Sequence, residues 1–310
     1  MPRIQLRSLV TAEALGAIAG AILVGISLAV PPPAREVVAA VAASFIFAAC
    51  FLLLQALHKR YFDTDSRRFF GDEMMAKGTI FVFPDFELAP EVRDTLASHN
   101  PQRLYTKPMR HFAATTHRID IPRAVAANDM EALVYLSGLF EASRGHRFEL
   151  RTDSTAVHQC DCSFISVGLS SNDCTHLYLS ASDCPMFEIV PDEQDSEYVR
   201  LVDGREFRSD AQRQMGLILR YAPEPVQAPD RRWFLVAGVG PIGTIGAARY
   251  LAQCWRHLHR EVGDRDFVAV ISVLAATERS VRLEAICTED PTRAVAPLSR
   301  EPEALLLPDQ

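Results

Sequence analysis

The sequence predicts an N-terminal transmembrane α-hairpin followed by a soluble α/β domain with a mostly parallel sheet and a small antiparallel insertion. Three observations lead to this fold class. Two long apolar segments open the chain, strand-like and helix-like segments alternate after about residue 78, and a glycine-rich turn joins a strand to a helix within residues 233–251. The chain has 310 residues, of which 48% are hydrophobic, and a formal net charge of −7, so it is long enough for one or two domains.

Two apolar segments near the start of the chain are long enough to cross a bilayer. Leu9–Val30 carries a single charge, Glu13, and Val37–Leu57 carries none. A helix needs about 20 apolar residues to span the hydrocarbon core, and the proline-rich residues 31–36 predict a tight turn between the segments. A secretory signal peptide is the alternative for the first segment, but that run is longer than a signal core and a second one follows at once.

Positive charges set the predicted orientation of this hairpin. Arg3 and Arg7 precede the first segment, Lys59 and Arg60 follow the second, and Arg35 is the one positive residue in the loop between them. Basic residues favour the cytoplasmic side of a membrane, so we predict a two-pass protein with both termini cytoplasmic. Most of the seven cysteines would then be thiols in a reducing compartment.

Small residues in the first segment predict close packing of transmembrane helices. Gly16 and Gly20 form a G-x-x-x-G pattern, and Gly25 extends it. This pattern lets two helix backbones approach closely. The packing could join the two helices of one hairpin or the hairpins of several protomers.

Composition divides the chain into four predicted regions. Residues 1–57 form the transmembrane hairpin, and residues 58–77 form a juxtamembrane linker, expected to be a helical stalk. Residues 78–288 form a cytosolic α/β domain. Residues 289–310 are rich in Pro and Glu and are expected to be a mobile tail.

Short apolar runs alternate with longer amphipathic runs through the cytosolic domain. The predicted strands are TIFVFP (79–84), RFELRT (147–152), CSFISVG (162–168), MFEIVP (186–191), MGLILRYAP (215–223), WFLVAG (233–238), DFVAVISVL (266–274) and VRLEAIC (281–287). Helices are predicted over residues 128–145 and 243–262. Strands that alternate with helices favour a parallel sheet, and Asp203-Gly204 predicts a hairpin within an antiparallel insertion near 186–210.

Three predicted strands end in loops that could form one ligand-binding cleft. Open α/β sheets bind ligands outside the carboxyl ends of their strands, and glycines there allow close backbone approach. The candidate ligand-binding residues are Pro84, Asp85, Phe86, Gly168, Ser170, Ser171, Asn172, Gly238, Gly240, Gly243 and Thr244. A helix that begins near Thr244 would direct free N–H groups at an anion.

The spacing Gly238-x-Gly240-x-x-Gly243 matches the fingerprint of dinucleotide pyrophosphate binding. Pro241 removes one N–H donor from the loop, and the ribose-binding acid expected about 20 residues further on, after the next strand, has no clean counterpart, with Glu278 as the nearest candidate. Three interpretations therefore remain: a dinucleotide site, an anion-binding loop for another nucleotide, and glycines that only let the helix pack closely on the strand.

The sequence assigns no catalytic residue and no metal ligand. It lacks G-x-S-x-G, H-E-x-x-H and a Walker A lysine, and its cysteine spacing fits no standard zinc site. Asp85 and Glu87 follow a strand, where they could act as catalytic acids or as helix caps. A basic stretch at residues 100–127 could bind ligand phosphates or anionic lipid, or could be a solvated surface.

Two segments together resemble a known class of nucleotide-sensing domain. CDCSFISVGLSSNDCT follows a helix and a strand, and WFLVAGVGPIGTIGAARYL forms a strand, a glycine-rich turn and a helix. They resemble a Rossmann-like domain, distantly similar to nucleoside deoxyribosyltransferase and TIR-like folds. With the two apolar segments, the chain resembles two-transmembrane effectors of cyclic-oligonucleotide (CBASS-type) antiphage defence, which implies a location in the bacterial inner membrane.

The resemblance implies a membrane-anchored sensor and effector. A small anionic nucleotide, for example a cyclic oligonucleotide, would bind the cleft and drive homo-oligomerisation that disrupts the inner membrane. No other cofactor and no nucleic-acid polymer is expected as a partner. The alternatives are a membrane-anchored enzyme that acts on NAD or a nucleoside, and a membrane scaffold whose cleft is empty.

Overall fold

A computed structural model of the chain describes residue 31 and residues 34–87, 89–92, 94, 123–140, 146–192, 196–274 and 277–289. The chain divides into two compact units, Met1–Asp65 and Ser66–Gln310. The candidate ligand-binding residues all belong to the second unit.

Helix α1 (Ala34–Phe70) contains the predicted second span and continues through most of the predicted linker. Among the residues that the structure describes, no helix is both long enough and apolar enough to cross a membrane. This finding contradicts the predicted transmembrane hairpin and the two-pass inner-membrane localisation. Gly16, Gly20 and Gly25 lie outside the described residues.

Strands and helices of the second unit alternate unevenly along the chain. The strands are β1 (Thr79–Phe83), β2 (Phe86–Glu87), β3 (Arg123–Ala124), β4 (Phe148–Thr152), β5 (Phe164–Val167), β6 (Phe187–Pro191), β7 (Glu197–Leu201), β8 (Glu206–Phe207), β9 (Arg213–Tyr221), β10 (Trp233–Val239), β11 (Phe267–Leu274) and β12 (Thr277–Thr288). The helices after α1 are α2 (Asp72–Lys77), α3 (Ala127–Gly138), α4 (Asp153–Ala156), α5 (Asp173–Ala181) and α6 (Pro241–Val262).

The main sheet has seven strands in the order β12-β11-β9-β10-β5-β1-β4. Three neighbouring pairs are parallel, from β4 through β1 and β5 to β10. The other three pairs, from β10 through β9 and β11 to β12, are antiparallel. The prediction of a mostly parallel, Rossmann-like sheet is therefore wrong. The short connection from β9 to β10 contains no helix, and two parallel neighbours need a longer crossover connection.

A separate antiparallel sheet of three strands, β6-β7-β8, is inserted between α5 and β9. The turn between β7 and β8 contains Asp203 and Gly204, and Gly204 has a φ of 86°, which favours glycine. The Arg205 amide donates to Asp203 Oδ1 at 3.1 Å and closes this turn. The insertion matters for the site because the first residue of β7, Glu197, lines the cleft described below.

The main sheet is covered on both faces. On one face, Phe69 and Phe70 from the last turn of α1 pack against Phe234 and Trp255, with Phe69–Phe234 ring centroids 5.5 Å apart and Phe70–Trp255 5.4 Å apart. Helices α3 and α6 cover the same face. On the other face, Tyr178 of α5 joins the buried cluster that includes the insertion, and its hydroxyl accepts a hydrogen bond from the Met186 amide at 2.8 Å.

At the end of the sheet opposite the cleft, Arg220 of β9 is fully buried. Its guanidinium donates to the carbonyls of Gly263 at 2.9 Å, Arg265, and Phe69 at 3.5 Å, near the carboxyl ends of α6 and α1. Burial lowers the pKa of Arg220 to about 10, so the group stays charged at neutral pH. A cation at helix carboxyl ends satisfies carbonyls that have no partner within the helix.

Candidate ligand-binding site

A cleft of about 190 Å³ lies at the carboxyl ends of the neighbouring parallel strands β1, β5 and β10. In the main sheet, β4 lies on one side of β1, and the next strand along the chain, β5, lies on its other side. The direction in which strands are added therefore reverses between β1 and β5. Such a reversal is where open α/β sheets bind ligands. The lining residues are Phe86, Ala126, Asn128, Asp129, Gly168, Leu169, Ser170, Ser171, Glu197, Gly238, Gly240, Pro241 and Thr244.

The structure brings most of the predicted ligand-binding residues to this cleft. The predicted residues that line it are Phe86, Gly168, Ser170, Ser171, Gly238, Gly240 and Thr244. The predicted residues outside the lining are Pro84, Asp85, Asn172 and Gly243. Strand ends alone predicted which loops converge, but the orientation of each side chain depends on local hydrogen bonds.

Asn172 is used to cap helix α5. Its side chain is fully buried, its Nδ2 donates to the Val167 carbonyl at 2.7 Å, and its Oδ1 accepts from the Cys174 amide at 2.8 Å. Asparagine is a preferred residue at this position because its oxygen satisfies a free N–H of the first turn. Both polar atoms of the side chain therefore have partners within the fold, behind the cleft.

Asp85 belongs to a cluster organised by a buried carboxylate, Asp153. Asp153 Oδ1 accepts from the amides of Asp85 at 3.3 Å and Ser154 at 2.9 Å, and Oδ2 accepts from the Asp173 amide at 3.1 Å. Ser154 Oγ also donates to Asp85 Oδ1 at 3.2 Å. Burial raises the pKa of Asp153, and these three amide donors act against that shift. Asp153 thus satisfies three backbone N–H groups of residues that lie outside the cleft lining.

The glycines of the fingerprint let α6 pack tightly against the sheet. A Cβ atom at Gly238 would overlap the backbone of Gly243 and Thr244, and a Cβ at Gly243 would overlap the carbonyl of Met215 on β9. Gly240 has a φ of 100°, which favours glycine at the start of the helix. Close packing is thus sufficient to explain Gly238 and Gly243.

The first amides of α6 already have an acceptor, the side chain of Gln214 on β9. Gln214 Oε1 accepts from the amides of Ile242 at 2.9 Å and Gly243 at 3.3 Å. Pro241 has no N–H to offer. A phosphate at this helix end would have to displace Gln214. Sequence reasoning missed this residue because it did not predict that β9 is the antiparallel neighbour of β10.

Asp129 is the functional candidate that sequence reasoning missed. It lies in the first turn of α3 and lines the cleft, yet it is only 7% exposed. Within the described part of the chain, its carboxyl group has no hydrogen-bond or ion-pair partner. Burial raises its pKa to about 6. A carboxyl group with a perturbed pKa in a cleft is typical of a functional site.

The available signal for Asp129 was the Asn128-Asp129 pair, which predicted only the start of a helix. In the structure the cap residue is Ala126, so neither side chain serves as the cap. An acidic residue near a helix start that does not cap it is free to face a ligand. Asp129 lies in the first turn, where the helix dipole favours negative charge.

The described lining of the cleft is acidic. Glu197 is the second carboxylate, and its Oε1 accepts a hydrogen bond from Ser170 Oγ at 2.8 Å, which links the insertion to the loop after β5. Among the described lining residues there is no Lys, Arg or His. Of the predicted basic stretch at 100–127, residues 100–122 lie outside the described residues. This part of the cleft offers acceptors for N–H and O–H groups and no cation for a phosphate.

Comparisons with known proteins give no match. No protein-family model matches the chain, no curated protein matches it, and no solved structure matches it.

Proposed function

We propose that the second unit is a receptor for a nucleotide, and that the cleft binds the nucleoside part with the phosphates directed toward solvent. The observation that carries this proposal is the cleft itself, which lies at the reversal of strand order and contains a buried carboxyl group without a partner in the described chain. A carboxyl group that is only 7% exposed has lost much of its hydration, so a ligand that supplies hydrogen-bond donors there gains affinity.

The polarity of the cleft supports this orientation of the ligand. Asp129 and Glu197 can accept hydrogen bonds from base N–H groups and ribose hydroxyls, whereas they repel phosphates. The amides at the starts of α5 and α6 are bound to Asn172, Asp153 and Gln214, so they do not form a free anion cradle. The predicted small anionic nucleotide is thus best bound by its uncharged end.

The role of the receptor in antiphage defence is proposed from the sequence resemblance, which also suggests that the ligand is a signal nucleotide. A ligand changes self-association only if it binds the free and associated states with different affinities. We therefore propose that nucleotide binding shifts homo-oligomerisation of the chain. The membrane-disruption step is not part of this proposal.

A thermal-shift screen of the full chain tests the proposed function. The probes are guanosine, adenosine, their 5′-monophosphates, a cyclic dinucleotide and NAD. A ligand that binds only the folded protein stabilises it by about 2.7 kcal/mol at a hundredfold excess over Kd. We expect Ser171→Tyr, which fills the exposed rim of the cleft, to abolish this stabilisation.

The matched control is Ser180→Tyr, an exposed serine on α5 outside the lining, which should keep the response. If no nucleotide or nucleoside stabilises the wild-type chain, the receptor proposal is wrong and the scaffold with an empty cleft is favoured. If both variants respond like the wild type, the ligand binds outside the cleft.

A second candidate function is an enzyme that acts on the N-glycosidic bond of a nucleoside or NAD. The specific observation in its favour is Asp129, because a carboxyl group with a pKa of about 6 is suited to proton transfer near neutral pH. Incubation of the full chain with each probe, followed by chromatography for free base, separates the two functions. Base release that Asp129→Asn removes would establish the enzyme, and intact ligand would favour the receptor.

A further inference from the structure

The carboxyl group of Asp129 favours hydrogen-bond donors on the part of the ligand that contacts it. The residue is 7% exposed and lines the cleft, and its carboxyl group has no donor within the described part of the chain. An ionised carboxylate only accepts hydrogen bonds, through two oxygens held in one plane. A ligand that presents two neighbouring donors in one plane would satisfy both oxygens at once, as in the strong bidentate pairs that carboxylates form.

The base edges of nucleosides differ in whether they meet this requirement. The pairing edge of guanine presents two adjacent N–H donors, from N1 and the 2-amino group. The edges of adenine and cytosine place a donor beside a ring-nitrogen acceptor, and uracil has one N–H between two carbonyl acceptors. An ionised carboxylate therefore matches guanine and meets a lone pair on the other three bases.

We propose that Asp129 reads the base of the ligand and selects a guanine-type edge with two adjacent N–H donors. This inference rests on the proposed receptor function and specifies its ligand. The second carboxylate of the cleft, Glu197, already accepts from Ser170 and is more exposed than Asp129. Glu197 is thus placed to accept from ribose hydroxyls at the rim, while the planar base takes the buried position.

The side chains around Asp129 agree with a buried base. Phe86 contributes an aromatic side chain to the lining and is 41% exposed, so it offers a surface on which a base can stack. Binding of a base by its polar edge and by stacking together is the usual way in which proteins read an unpaired base.

Isothermal titration of the full chain at pH 7.5 tests this inference with three probes. Guanosine 5′-monophosphate has both donors, inosine 5′-monophosphate lacks the 2-amino group, and adenosine 5′-monophosphate has one donor and one acceptor. We expect the guanosine nucleotide to bind about tenfold to a hundredfold more tightly than each of the others, the usual value of a bidentate pair.

Asp129→Asn supplies the sharpest variant because the amide has the same shape but offers one donor and one acceptor. We expect it to weaken guanosine nucleotide binding about tenfold to a hundredfold and to leave adenosine nucleotide binding equal or tighter. Glu131→Gln is the control, since it changes an exposed carboxylate on the same helix to an amide and should alter neither affinity.

The outcomes separate this inference from the proposed function. Equal binding of the three nucleotides, unchanged in Asp129→Asn, would overturn the base-reading role while keeping the receptor. If the 2′- and 3′-deoxy analogues of guanosine 5′-monophosphate bind more weakly than the parent nucleotide, and Asp129→Asn removes this difference, then Asp129 contacts the ribose. That result would also overturn the base-reading role. If none of the three nucleotides binds, both the inference and the receptor proposal are wrong.

Discussion

Asp129 and Asn172 are both buried polar residues near the cleft, but the fold uses them in opposite ways. Asn172 has a partner for each polar atom of its side chain, so it stabilises the start of α5. Asp129 has none within the described residues, so its burial lowers stability whenever it is ionised. A residue that destabilises the free protein and lines a cleft is better explained by ligand binding than by folding.

The pH dependence of stability provides a prediction for Asp129. Its pKa is about 6 in the folded chain and 3.8 in the reference state, so the folded state binds the proton more tightly. The cost of ionisation is therefore fully present above pH 6 and is lost as the pH falls toward 4. From this difference, we expect Asp129→Asn to be more stable than the wild type by about 2–3 kcal/mol at pH 8.

The measurement is denaturant unfolding of both proteins at pH 8 and at pH 4, where the difference should disappear. Glu131→Gln serves again as the control and should show little difference at either pH. A variant that is less stable than the wild type at pH 8 would mean that the carboxylate has a structural partner, and the functional assignment would fail.

At the residue scale, the sequence predicted the loops of the site better than the roles of their side chains. Gly168, Ser170 and Ser171 line the cleft, as expected from small and polar residues that follow a strongly apolar strand, and their role in ligand binding stays a prediction. Asn172 was assigned to the ligand although asparagine just before a helix commonly caps it. Asp129 was missed because its burial depends on long-range packing, which a local pattern does not contain.

At the element scale, the glycine-rich turn between β10 and α6 is explained by packing. The strand and the helix lie where the sequence predicted them, but the dinucleotide interpretation needed free amides at the start of the helix. Gln214 of β9 accepts from two of those amides. The pairing of β9 with β10 is a long-range property, so the same local pattern was compatible with a ligand site and with close packing.

Gly246 of α6 gives a prediction that tests the packing explanation. A Cβ atom there would overlap the Val273 side chain on β11. In an exposed helix, Gly→Ala stabilises by about 1 kcal/mol, but overpacking of a core costs about 1–3 kcal/mol. We therefore expect Gly246→Ala to be destabilising in chemical unfolding.

Val273→Ala provides the matched background for this test, since it removes the atom that the new methyl group would overlap. In a double-mutant cycle, the cost of Gly246→Ala should shrink or change sign in the Val273→Ala protein. An equal cost in both backgrounds would show that the glycine is needed for another reason.

At the scale of the whole molecule, the sequence predicted an α/β domain with most of its strands but not its topology. Alternation of strands and helices holds from β1 to β5, where the sheet is parallel. It ends after the insertion, since β9 and β10 follow each other without a helix and pair antiparallel. The lack of a helical pattern between these strands was visible in the sequence and should have indicated a hairpin connection.

The N-terminal prediction shows the limit of counting apolar residues. Composition alone placed a boundary at residue 57, whereas α1 continues without interruption to Phe70. The last turn of α1 contributes Phe69 and Phe70 to the core of the second unit, where both are almost fully buried. Those two aromatic residues stood in a segment that the sequence assigned to a linker, because their buried partners are distant in the chain.

The central claim is that a nucleotide binds at the carboxyl ends of β1, β5 and β10, and hydrogen–deuterium exchange of the full chain tests it most directly. With saturating guanosine 5′-monophosphate, the account predicts slower exchange in peptides covering residues 126–130, 168–172 and 238–244. The exchange rate of peptides around Arg220, at the opposite end of the sheet, should not change. In the Ser171→Tyr variant, the nucleotide should not slow exchange in any of these peptides. Protection confined to other regions, or none at a saturating concentration of this nucleotide, would contradict the account.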